Sequence, residues 1–141
     1  LLHSQTMNII ANLVYLSIEL VYILTYLLYL IRGWEIEYYS EKVEEKILEL
    51  PKGLLARYLR LTDLMLEFGP NLGFPHTKVI KNELYELRIK SQEGIARVFY
   101  CTIIGNKIMI LHVFIKKTKR IPKKELKIAI ERLKKVKKYE T

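Results

Sequence analysis

The chain has 141 residues, half of them hydrophobic, and a formal net charge of +9. That length supports the core of one compact domain and not of two. Cys101 is the only cysteine, which excludes an intrachain disulfide, and three dispersed histidines (His3, His76, His112) argue against a zinc site.

Charge divides the chain. Residues 1–33 carry only Glu19 and Arg32, residues 34–80 carry six Lys/Arg against eight Asp/Glu, and residues 81–141 carry seventeen against six. A basic half of this kind implies an anionic partner: nucleic acid, an acidic protein or a lipid surface.

Residues 9–31 read IIANLVYLSIELVYILTYLLYLI, 23 residues with one charge, Glu19. The length suffices to span a bilayer. Against this, an acid near the centre of a span costs about 2.5–3.5 kcal/mol on insertion scales. No Lys or Arg precedes the run, and it is too long for the apolar region of a signal peptide. Three readings follow: sequence translated from upstream of a later start, with no role; a membrane anchor that leaves Arg32 and the basic region on the cytoplasmic side; or an amphipathic helix docked on the domain. We therefore separate residues 1–33, a hydrophobic helical extension, from a folded domain at residues 34–141.

The domain opens with WEIEYY (residues 34–39), whose weak alternation and aromatic content predict a strand. Ser40 is a good N-cap, with Glu41, Glu44 and Glu45 in the first turns, and predicts a helix over residues 41–50 that stops before Pro51. A second helix starts near Gly53. Its stripe is Leu54, Tyr58, Leu61, Met65 and Phe68, and Gly69–Pro70 ends it. Such a helical hairpin has to bury its stripe on a sheet. Residues 71–75 form a loop and residues 76–80 a short strand.

Residues 85–119 then give three strands in succession. In the first, Tyr85, Leu87 and Ile89 share one face, and Glu86, Arg88 and Lys90 the other. SQEG (residues 91–94) turns into a largely apolar strand over residues 95–103, fit for burial on both faces. Gly105–Asn106 turns into the last strand, residues 107–115. His112 shares a face with Ile108, Ile110 and Phe114. Pro122 opens a final helix with an apolar stripe of Leu126, Ala129, Ile130, Leu133 and Val136 and Lys-rich flanks. The order β-α-α-β-β-β-β-α predicts an α+β domain on a small antiparallel sheet.

Phosphate-loop, HEXXH, GXSXG and paired CXXC signatures are absent. What remains is a set of cations on a sheet: Arg88, Arg97, Lys116, Lys117 and Lys119. Arg97 stands among Ile95, Val98 and Phe99, where an unpaired guanidinium is costly. It pairs with an acid, Glu86 or Glu93, or it faces a site where a phosphate supplies the charge. Lys116 and Lys117 point to opposite faces. A lysine beside other cations has a lowered pKa and becomes fit to move protons; as solvated strand-end residues the pair has no role. Cys101 reads as a buried inert thiol and His112 as a satisfied core residue. Tyr85 and Tyr100 either stack on bases or pack, and packing is the favoured reading.

The strings LYELRIKSQEGIARVFY and ILHVFIKKTKRIPKKELKIAIERLK resemble the HigB/RelE toxins of bacterial type II toxin–antitoxin systems. The resemblance runs from residue 34 to about 138 and rests on ELR, RVFY and KKT-x-x-x-PKKE in that order. It implies a RelE-like microbial RNase fold, with an N-terminal helical hairpin and a C-terminal helix. It also implies cytoplasmic, metal-independent, ribosome-dependent cleavage of mRNA through a 2′,3′-cyclic phosphate, which inhibits translation and needs no cofactor. Carried over by position, Arg88 and Arg97 hold the scissile phosphate. Lys116 or Lys117 handles a proton, with Lys116 preferred because it alternates in phase with His112 and Phe114. The resemblance assigns RNA contacts to Tyr85, Lys90, Tyr100, Lys119 and Arg120. The implied partners are the ribosome, mRNA and a helix-turn-helix antitoxin. Two other readings stand beside it: a ParE-like toxin that inhibits DNA gyrase without nuclease activity, and a basic binding module tethered to a membrane by residues 9–31.

Overall fold

The structure is a computed structural model that describes residues 2–31 and 33–140. It divides into two compact units, Leu1–Arg32 and Gly33–Thr141. The first is a single helix, α1 (Leu2–Ile31), of 30 residues. Its residues 2–28 are long and apolar enough to cross a membrane.

The second unit follows the element order β1 (Glu35–Tyr38), α2 (Glu41–Leu48), α3 (Lys52–Phe68), β2 (Thr77–Lys81), β3 (Leu84–Ser91), β4 (Gly94–Ile103), β5 (Lys107–Ile115), α4 (Lys123–Glu140). Ser40 caps α2 by accepting from the Val43 amide at 3.3 Å. Glu93, one of the two acids offered above for Arg97, accepts from the Gly53 amide in the first turn of α3, where a helix presents unpaired donors. Leu54, Tyr58, Leu61 and Met65 are buried along α3 as its spacing predicts. Phe68 departs from that prediction. It is 70% exposed, because the sheet-facing stripe ends one turn earlier, at Met65.

The five strands form one sheet in the order β1-β5-β4-β3-β2. The sheet is mixed, not purely antiparallel: β1 lies parallel to β5, with Glu35 opposite Lys107 and Tyr38 opposite Ile110. The α2–α3 hairpin carries the chain from one edge of the sheet to the other. The remaining strands are consecutive antiparallel neighbours, as their short turns require.

Each face of the sheet has its own core. On one side Val43 and Ile47 of α2 and Leu54, Tyr58, Leu61 and Met65 of α3 pack on Leu87, Ile89, Val98, Tyr100, Ile108, Ile110 and Val113. On the other, Ala129 of α4 packs on Leu84, Phe99, Cys101 and Leu111, flanked by Leu126, Ile130, Leu133 and Val136. Burial pushes the Cys101 thiol up to about 12, so it stays protonated and unreactive at neutral pH.

A β-bulge breaks the alternation of β5. Phe99 pairs with His112 but Tyr100 pairs with Ile110, which leaves Leu111 as the extra residue. Its carbonyl, freed from the ladder, accepts from Arg132 of α4 at 2.7 Å. Ile108 and Ile110 therefore face the helical hairpin while His112 and Phe114 face α4. The single face expected for all four residues is corrected by this one insertion. His112 is 4% exposed and bonds through Nε2 to Glu125 of α4.

Candidate nucleic-acid interface

The α4 helix covers only part of its face. The open end of that face is organised in rows that follow the strand register. Arg88 of β3 lies opposite Arg97 of β4, and Arg97 lies opposite Phe114 of β5. The Arg88 amide donates to the His76 carbonyl at 2.8 Å, which extends this row to His76 at the edge. The neighbouring row toward α4 is Lys78, Glu86, Phe99, His112. The row on the far side joins Lys90, Ile95 and Lys116, the last through its amide to the Ile95 carbonyl at 2.7 Å.

These rows converge on a pocket of about 250 Å³ lined by Arg88, Arg97, Lys116, Lys119, Glu86 and His76, with Phe74 and Pro75 among the remaining lining residues. Two arginines directly opposite each other repel. Glu86, one row away on the diagonal, relieves this by binding Arg97 through its Oε1 and the arginine's Nη1. Arg97 is 8% exposed and Glu86 3%, so the pair is taken out of water. The pair is also incomplete, since Arg97 Nε and Glu86 Oε2 are buried with no hydrogen-bond partner. Of the two partners anticipated for the arginine, the acid is present as Glu86, and the same side chain lines the pocket.

Lys116 is held below the usual lysine range, first by desolvation and then by the guanidinium charges of Arg97 and Arg88. Across the sheet the order is Lys116, Arg97, Arg88, His76, spanning three strand spacings, or about 14 Å of backbone. A depression of about 270 Å³ continues the basic surface through Arg57, Pro75, His76, Arg88 and Lys90.

Not every residue expected at the site is there. Lys117 and Arg120 are exposed but line neither cavity. Tyr85 and Tyr100 are corrected to a packing position. Their rings stack on each other at 5.3 Å between centroids, on the hairpin side of the sheet, and the Tyr100 hydroxyl donates to the Pro70 carbonyl. Odd residues of β3 and even residues of β4 share that side, away from Arg97. His76 and Phe74 are the residues the sequence reading passed over, whereas Glu86 stood there as one of two partners offered for Arg97. Glu86 was detectable, because it alternates in phase with Arg88. His76 and Phe74 were not, because their loop has no periodicity. Among the described residues, no group of three or more His, Cys, Asp or Glu side chains is placed to hold a metal ion.

The family model "Phage derived protein Gp49-like (DUF891)" matches residues 45–134, more than half of the chain. The chain belongs to this family. Gp49-like proteins are toxins of the RelE/HigB type. The match runs from α2 into α4 and takes in every residue lining the pocket. Among solved structures, the archaeal RelE–RelB complex from Pyrococcus horikoshii OT3 contains a chain that is 20% identical, with a TM-score of 0.45 over 60% of this chain and 97% of that one. No curated protein matches.

Proposed function

We propose that this Gp49-like toxin is a metal-independent endoribonuclease that cuts mRNA on the ribosome. The observation that supports it is the convergence of Arg88, Arg97 and Lys116 on one open pocket. A guanidinium binds phosphate oxygens with two donors in a fixed fork and stays charged, which suits the charge that builds on a phosphate under attack. Desolvation and the charges of Arg97 and Arg88 disfavour the ammonium form of Lys116, a direction that favours the amine able to accept a proton.

In this reading Lys116 removes the proton from a ribose 2′-hydroxyl. The 2′-oxygen bonds to the adjacent phosphorus, and the bond from phosphorus to the 5′-oxygen breaks. Arg88 and Arg97 hold the non-bridging oxygens, and Glu86 keeps Arg97 in place. His76, across the arginines from Lys116, gives the leaving 5′-oxygen its proton. The products are a 2′,3′-cyclic phosphate and a 5′-hydroxyl. In-line displacement requires base and acid on opposite sides of the phosphate, and the order Lys116, Arg97, Arg88, His76 across the sheet supports that division of roles. Lys90, Lys119 and Arg57 extend the cationic surface for the flanking backbone. Toxins of this type are held inactive by a cognate antitoxin. We assign this chain such a partner, of the helix-turn-helix kind, and a cytoplasmic site of action.

The test is cleavage of mRNA on programmed ribosomes, with the new ends typed chemically. We expect 2′,3′-cyclic phosphate ends. Arg88→Ala and Lys116→Ala, both at positions only partly buried, should each lower the rate by roughly 10²–10³ with the fold intact. Intact mRNA together with stalled gyrase–DNA complexes would replace this reading by the gyrase-inhibitor one.

A further inference from the structure

We infer that Phe74 is the stacking platform for the nucleobase beside the scissile phosphate; this rests on the nuclease reading above. Three aromatic side chains of the described 33–140 region are exposed: Phe68, Phe74 and Tyr139. Only Phe74 lines the pocket that holds Arg88, Arg97 and Lys116. It is 92% exposed, so the faces of its ring are free for a planar apolar surface to cover.

The loop that presents the ring is built to hold it out. Gly73 takes a positive φ of 80°, which only glycine adopts without strain. Its amide donates to Thr77 Oγ1 at 2.7 Å and to Asn71 Oδ1 at 3.1 Å. The Thr77 hydroxyl donates in turn to Asn71 Oδ1 at 2.9 Å. The Gly73 carbonyl accepts from the His76 and Thr77 amides, both at 3.0 Å. Thr77 is buried, so this network sits on the rigid start of β2. Such a turn fixes the backbone that carries the ring before a ligand arrives, which lowers the ordering entropy lost when the ring is covered.

The ligand class follows from what surrounds the ring. The cations beside it call for a phosphate, and a phosphate next to a flat apolar face describes one nucleotide of a single strand. In a duplex the bases are stacked on one another and leave no face free. In a single strand they are splayed and stack on aromatic side chains with little regard to sequence. Phe74 therefore supplies the stacking role for which Tyr85 and Tyr100, packed on the hairpin side of the sheet, are on the wrong face.

The experiment uses the full chain on programmed ribosomes and an indole reporter introduced by Phe74→Trp. Truncating a base–aromatic stack weakens binding roughly 5- to 150-fold, so Phe74→Ala should slow cleavage by a factor in that range. Phe74→Trp should cleave like the wild type, and Phe74→Leu, apolar but without a π face, should behave like the alanine variant. A short single-stranded RNA should quench the fluorescence that Phe74→Trp adds to that of Trp34, the native tryptophan. An abasic nucleotide beside the cut should slow the wild type as Phe74→Ala does and have no further effect on Phe74→Ala. Absence of cleavage by the wild type would sink the nuclease reading and this inference with it. Cleavage by the wild type and equally by Phe74→Ala, or an added indole signal that RNA leaves unquenched, would overturn the stacking role alone.

Discussion

Arg97 sits where two demands meet, and its substitutions have to be read with both in mind. Its pair with Glu86 is almost wholly buried, so Arg97→Ala leaves a carboxylate in the interior without a counter-charge. Breaking such a pair from one side costs about 3–5 kcal/mol. We expect a large drop in the urea midpoint for Arg97→Ala, and a smaller one when Glu86→Gln is added, because the stranded charge is then gone. Loss of toxicity in Arg97→Ala alone therefore does not separate chemistry from folding, whereas Arg88→Ala does. Lys116 gives a second, independent signature. Its pKa lies below the usual lysine value because the arginines and desolvation disfavour the ammonium form. The neutral base becomes more abundant as pH rises, so the cleavage rate should climb with pH and level off below the ordinary lysine value of 10.5. Lys116→Ala should lose that rising limb, and a pH–rate profile unchanged in this variant would remove Lys116 from the proton-transfer role.

At the scale of elements, α4 is joined to the sheet at both ends. Lys137 donates to the Thr102 carbonyl at 2.6 Å, and Glu140 accepts from the Ile104 amide at 2.7 Å. At the N-terminal end the link is His112–Glu125. Burial disfavours the imidazolium and lowers the pKa of His112. Glu125 opposes this and Arg132 and Lys46 reinforce it. A neutral ring that donates Nε2–H to Glu125 is consistent with the direction, since its Nδ1 then carries a lone pair, and that atom has no partner. The unfolded chain takes up a proton near 6.5 while the folded one resists it. Stability is thus fully present above that value and falls as pH drops through it toward the lowered one. Thermal unfolding of the wild type from pH 7.5 to 5 should show this decline, and His112→Gln should flatten it.

The elements were legible in their order and near-ends. Ser40, Pro51 and Gly69–Pro70 punctuate the helices, and short turns force β2 to β5 into hairpins. Illegible were the features set by distant partners. Nothing local says that β1 pairs in parallel with β5, because that choice depends on where the α2–α3 hairpin delivers the chain. The tyrosines of β3 and β4 look as good for stacking as for packing until the hairpin is seen to cover them.

At the scale of the Gly33–Thr141 unit, the basic excess is shared between the open surface at the uncovered end of the α4 face and the exposed side of α4 itself, which carries Lys123, Lys124, Lys127, Lys134, Lys135 and Lys138. Binding to RNA through such a surface releases counterions, so affinity should fall steeply as salt rises. The apolar helix α1 lies in a separate unit from the toxin domain. A chain starting at Gly33 should therefore unfold cooperatively and, on the nuclease reading, keep the activity of the full chain. The chain carrying α1 should be recovered with membranes, with Glu19→Leu increasing that fraction. Failure of the shorter chain to fold would show that α1 belongs to the domain.

The extra residue at Leu111 has an effect well beyond its own turn. In a strand the side of the sheet is a matter of parity, and one insertion exchanges odd for even from that point onward. Ile108 and Ile110 obey one parity and His112, Phe114 and Lys116 the other. Without the bulge, the same alternation would turn Lys117 toward the pocket side of the sheet and Lys116 toward the helical hairpin. When related toxins are aligned, a relative with an unbroken β5 should therefore carry its strand-end proton-transfer group one column away. An alignment that forces the two into a single column would pair residues on opposite sides of the sheet.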